Sequence, residues 1–139
     1  MVARCACIVA AGIGLASGCA SGSGDGPREL AAFQLRALTA ISNVTQAGIG
    51  YSGHAILRLR YGMSEKARAA EAGAVGLGRD RAPSSVRSLN VRLVTVLWRL
   101  HRDFVRATRL GVRAALVTDA ADVQRLIGLR SVVQSSSAY

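Results

Sequence analysis

Along most of the chain, apolar residues recur at spacings of three and four, the period of helices packed on one side. In the first such stretch Leu30, Phe33, Leu38, Ile41 and Val44 share one face, with Arg28, Arg36, Thr39 and Asn43 opposite. Pro27 suits the first turn of that helix with Asp25 or Gly26 as its cap, and Gly48-Ile-Gly50 ends it. Its apolar face reads as core. The segment 54–61 carries two patterns: Leu57-Arg58-Leu59-Arg60-Tyr61 alternates as a strand does, and a short helix fits equally well. Gly62 is expected to break it. Ser64 then caps a helix through Glu65-Lys66-Ala-Arg-Ala-Ala-Glu71-Ala, rich in good helix formers. Gly76-Leu-Gly-Arg-Asp-Arg-Ala-Pro83-Ser-Ser reads as a loop.

The longest element is expected over residues 86–115, about 45 Å at the α-helical rise of about 1.5 Å per residue. On its wheel Arg92, Arg99, Arg102, Arg106, Arg109 and Arg113 fall on one narrow face. Leu89, Leu93, Val96, Leu97, Leu100, Phe104 and Val105 fill the wide remainder, with Trp98 at the border. A basic amphipathic helix of this kind is a signature of membrane-surface or partner-groove binding, and the same pattern also describes a core helix with its arginines in water. Gly111 interrupts it, and residues 112–117 are read as a possible strand. Asp119 and Asp122 cap a last short helix through Val123-Gln-Arg-Leu-Ile127, and residues 134–139 form a polar tail that frays.

With 50% hydrophobic residues but only 4% aromatic, the core has to be built from Leu, Val, Ile and Ala. That composition suits packed helices better than a β-sandwich, which favours aromatic and β-branched residues. The expected fold is therefore mainly α: a small bundle of three or four helices over residues 27–133, preceded by a flexible or apolar N-terminal segment.

In that segment, residues 1–18, a single basic residue, Arg4, precedes an apolar run at 5–16, and no acid occurs before Asp25. A short charged start, an apolar run of about a dozen residues and small residues behind it form a secretory-signal pattern, too short for a comfortable membrane span; an apolar segment that packs or anchors without cleavage is the alternative. The run closes on Leu15-Ala16-Ser17-Gly18-Cys19, which resembles the lipobox of bacterial lipoproteins, with its leucine one place earlier than usual. The resemblance implies acylation of Cys19 as the new N-terminus and a membrane-associated location in the cell envelope. Ser21-Gly-Ser-Gly-Asp-Gly26 completes a flexible tether over 19–26. All three cysteines lie at or before Cys19, so processing would leave none for an internal disulfide.

Charge narrows the partner. The formal net charge is +10, and Lys66 is the only lysine among 18 basic residues. Arginine forks onto phosphate and carboxylate and stays charged when partly desolvated. The surplus predicts an anionic partner, whether an anionic membrane surface, an acidic protein or nucleic acid. A GC-rich coding sequence enriches arginine, alanine and glycine in the same way without any binding role. Nucleic acid fits less well, for the chain has no reading motif and few aromatics for stacking.

No local pattern carries catalysis, a cofactor or a metal. His54 and His101 stand apart from each other and from any Cys-His cluster, and His101 reads as a structural histidine. Glu65 and Glu71 read as solvent-facing, and Ser84 and Ser85 lack the elbow context of a nucleophile. Gly48-Ile-Gly50-Tyr-Ser-Gly53 matches the dinucleotide-binding fingerprint in letters, but that motif needs a buried strand leading in, and residues 41–47 are helical in pattern. Asn43-Val44-Thr45 fits a glycosylation acceptor but falls inside the same helix.

Tyr61-Gly62-Met63-Ser64-Glu65-Lys66 resembles a hexapeptide of membrane-bound AAA+ zinc metalloproteases, in the helical protease domain beyond the zinc site, and Leu77-Gly78-Arg79-Asp80 resembles a second short piece of it. The resemblance covers residues 61–80. The His-Glu-x-x-His helix and the ATPase phosphate loop of that family are absent, and Gln46 stands about where its third, acidic zinc ligand would fall. It implies an inactive fragment or divergent relative whose basic helix corresponds to the family's C-terminal helices. The leading expectation is a non-enzymatic, exported or membrane-associated helical protein that binds an anionic surface or acidic partner through its arginine stripe. The alternatives are that metalloprotease relative, a nucleic-acid-binding module, and a translated frame without an evolved function.

Overall fold

The computed structural model describes residues 26–48, 55–110 and 112–136, without the side chains at 55–58, 112 and 115. Among these residues four helices follow one another: α1 Pro27–Gln46, α2 Ala55–Arg79, α3 Arg87–Ala107 and α4 Val112–Ser135, with a 3-10 turn at Ser84–Val86 leading into α3. No strand occurs among the described residues. The fold is the expected mainly α bundle.

Cross-links between helices show how they are laid. Asn90 donates from Nδ2 to the Leu77 carbonyl at 3.2 Å, and His101 Nδ1 donates to the Ala67 carbonyl at 2.9 Å, so α3 runs antiparallel to α2. On the other side of α2, Arg36 pairs with Asp80 at 3.0 Å. The last helix packs against both α1 and α3 and closes the ring. There Gln34 donates from Nε2 to the Val133 carbonyl at 2.9 Å, and Lys66 of α2 pairs with Asp119 of α4.

The interior takes Phe33, Ile41 and Val44 from α1, an alanine-rich stripe with Met63 and Leu77 from α2, Leu93, Leu97, Leu100 and Phe104 from α3, and Leu126, Leu129 and Val133 from α4. The face of α1 expected to be core is core: Phe33, Ile41 and Val44 are buried, and Leu30 and Leu38 pack against the cluster.

Several expected boundaries give way to packing. Gly62 does not break the chain and Ser64 does not cap a helix, for both lie inside the continuous α2. Met63, Ala67, Ala70, Ala74 and Leu77 keep helical spacing on the buried side, which outweighs the roughly 1 kcal/mol cost of one glycine. The helical alternative therefore holds for the described part of 54–61. The loop expected from Gly76 starts only after Arg79, because Leu77 is buried and its carbonyl, one of the last four of α2, finds a donor in Asn90.

The element expected over 86–115, interrupted at Gly111, is broken already after Ala107 and resumes as a second helix at Val112. After Ala107 the backbone tightens, with Arg109 N–H bonding to Arg106 O and Leu110 N–H to Ala107 O, both at 3.1 Å, while Thr108 Oγ1 donates to Val105 O at 2.6 Å. The turn returns the chain to the bundle; a straight continuation would carry Leu126, Leu129 and Val133 into solvent. Residues 112–117 are helical rather than extended, and Asp119 and Asp122 sit inside α4 rather than capping a shorter helix. The polar tail begins two residues later than expected, Gln134 and Ser135 being the end of α4.

Candidate anion-binding face

Because α3 turns Leu93, Leu97, Leu100 and Phe104 inward, the opposite side of the same helix must face solvent. Arg92, Arg99, Arg102 and Arg106 occupy it, and all four are exposed. Arg109 lies in the turn after α3 and Arg113 in the first turn of α4, both exposed, so the stripe of six read from the sequence is four on one helix and two around the corner. None of the six is in an ion pair among the described residues. The cause lies in sequence: α3 holds five arginines and one acid, Asp103, which reaches toward Arg125 at 3.6 Å.

The same outward face carries apolar residues: Val105, expected in the buried arc, Trp98, expected at its border, and Val91, which the wheel left unplaced. Val91 is 61% exposed, Trp98 38% and Val105 37%. These stand seven apart, as do Arg92, Arg99 and Arg106 directly after them, so an apolar strip runs beside the cationic one. Their common spacing was a readable signal, masked by the many other leucines and valines around the helix.

Between α3 and α4 lies a cleft of about 320 Å³, lined by Asp103 and Arg106 on one wall and Val117, Ala121, Asp122 and Arg125 on the other. Asp122 is 1% exposed, the only buried charged residue among those described. Arg125 donates from Nη1 to its Oδ1 at 2.6 Å, while Oδ2 has no hydrogen-bond partner. Burial pushes the Asp122 carboxyl above its usual range and the nearby Asp103 charge adds to this, against the lowering pull of Arg125 and Arg99.

The other singled-out residues are dispersed. His101 is held by the Ala67 carbonyl and meets Trp98 edge to face at 5.7 Å, a structural role as expected. Glu71 is exposed, whereas Glu65 is only half-exposed and pairs with Arg68 at 2.9 Å. Ser84 and Ser85 are exposed in the 3-10 turn. No group of three His, Cys, Asp or Glu among the described residues is placed to hold a metal ion. The glycine fingerprint follows helix α1 instead of a strand, and its residues 49–53 lie outside the described part, as do His54, Cys19, the signal-like segment and the tether before Gly26. Tyr61–Lys66 and Leu77–Asp80 fall within α2 and at its end.

Among the described residues the fold and this face define a class, a basic antiparallel four-helix bundle with an arginine surface outside its ion pairs. Comparison with known protein families, characterised proteins and solved structures finds no match to the chain.

Proposed function

We propose that this protein acts by binding rather than by turnover, holding an anionic partner against the outward face of α3. The observation that carries this reading is the exposure of Arg92, Arg99, Arg102 and Arg106 with no acid among the described residues paired to them. Unpaired guanidinium groups on a rigid helix form a fixed positive field that attracts phosphate or carboxylate surfaces. The pattern of Arg4, the apolar run at 5–16 and Cys19 supports export and lipid anchorage at the cell envelope, which would bring that face close to a membrane.

Each arginine near an anionic surface contributes about 1 kcal/mol, weakening with salt. Replacing Arg92, Arg99, Arg102 and Arg106 together by Gln is expected to weaken polyanion binding by about two to three orders of magnitude at low ionic strength, read by titration against poly-glutamate and against anionic vesicles. These side chains are exposed, so thermal unfolding should be little changed. Undiminished binding of the quadruple variant to both would sink the reading.

A further inference from the structure

Resting on that reading, we infer that the anionic partner is a lipid bilayer, met side-on by α3 with Trp98 seated among the headgroups. A free amphipathic helix binds lipid with its apolar face. Here that face is already spent, since Leu93, Leu97, Leu100 and Phe104 are all fully buried in the bundle. What α3 offers a partner is its other side, and that side is not purely cationic.

Val91, Trp98 and Val105 form a straight exposed strip about 21 Å long, at about 1.5 Å per residue, directly beside Arg92, Arg99 and Arg106. On the opposite flank of the arginines, across the cleft from Arg106, Val117 is 66% exposed and Ala121 is exposed too. The cationic stripe thus lies between two apolar margins. A soluble polyanion complements the arginines and leaves the margins in water. A bilayer surface complements both, presenting phosphates in one plane and hydrocarbon just beneath. An indole at the edge of such a face, apolar in body and polar at N–H, belongs at that boundary. Contact is peripheral, for no helix among the described residues is long and apolar enough to cross a membrane.

Trp98 is the only tryptophan, so its fluorescence reports this face alone. The full chain is titrated with vesicles of phosphatidylcholine and with vesicles in which a quarter of it is replaced by phosphatidylglycerol. The neutral vesicles set the contribution of the apolar N-terminal run, and poly-glutamate sets that of charge without hydrocarbon. The expected result is a blue shift of Trp98 and its quenching by brominated chains on the anionic vesicles only. V91S/V105S, which keeps the fluorophore, should bind them about tenfold more weakly, as expected for losing partial burial of two valines, and should bind poly-glutamate within twofold of the wild type. Unshifted Trp98 on saturating anionic vesicles, equal vesicle affinity of V91S/V105S, or tighter binding to single-stranded nucleic acid would each overturn the bilayer. Failure of the wild type on poly-glutamate and vesicles alike would instead bring down the anion-binding reading beneath it.

Discussion

Asp122 has a whole carboxylate inside the bundle but only one oxygen hydrogen-bonded. Its neighbours are Asp103, Arg99 and Arg106 on α3 and Arg125 on its own helix, with the Lys66–Asp119 pair bringing α2 one turn away. Burial and Asp103 raise its pKa in the folded state. Between the ordinary value of 3.8 and the raised one, the native protein therefore binds more protons than the unfolded chain. Stability falls as pH rises through that window, is free of the penalty below it, and carries the full penalty above it. Asp122→Asn removes the titration, so the variant should gain on the wild type as pH rises from 4 through the window, measured by urea unfolding at stepped pH. A constant difference would contradict the burial argument. The sequence presented this residue as a cap, and locally a capping acid and a buried one look alike. Only partners from α2 and α3 separate them, and those are remote in the chain. The arginines were legible for the opposite reason, since their exposure follows from sitting across one helix from Leu93, Leu97 and Leu100.

At the level of the helices, the boundaries drawn by glycine were the least legible part. Two glycines in contact show why. Gly48 ends α1 with a φ of 77°, and a Cβ there would come within 2.4 Å of the Gly62 Cα. The contact is with backbone, so relieving it would require a shift of the main chain. Gly62, on the other side of that contact, has no atom of the described residues within 4 Å of where its own Cβ would stand. Gly48→Ala should therefore destabilise by more than about 1 kcal/mol, the cost of a strained φ plus the clash, while Gly62→Ala should stabilise by about 0.5–1 kcal/mol through helix propensity. Denaturant titration of both variants checks the opposite signs. The first glycine makes a turn with its positive φ and the second sits inside a helix with room for a Cβ, and the sequence pattern gives both the same meaning. The interruption expected at Gly111 opens three residues earlier, at 108–110, and leads into a second helix; the need to bring Leu126 and Val133 back to the core arises only in three dimensions.

For the molecule as a whole, an aromatic-poor sequence forecast helices packed through aliphatic side chains, and Phe33 and Phe104 are the two large exceptions, both buried. Phe104 also lies 6.0 Å from the Lys66 ammonium, on the seam where α2, α3 and α4 meet. Phe104→Ala should cost about 3–5 kcal/mol, a large share of the stability of a domain this size. With one core joining all four helices, its unfolding should remain a single transition by circular dichroism and tryptophan fluorescence alike. The core was readable from composition and spacing. The mixed face was not, because the wheel counts Val105 with the buried arc, leaves Trp98 at its border and Val91 unplaced, and the bundle has room inside for only some apolar residues.

The side of α3 that holds Leu93, Leu97, Leu100 and Phe104 is locked in place before any partner arrives, so the guanidinium rank outside is cast rather than improvised. The proposed capture at a charged surface would then require no coil-to-helix step. Its time course should be a single exponential that speeds up as salt is diluted, with no slow phase of ordering behind it.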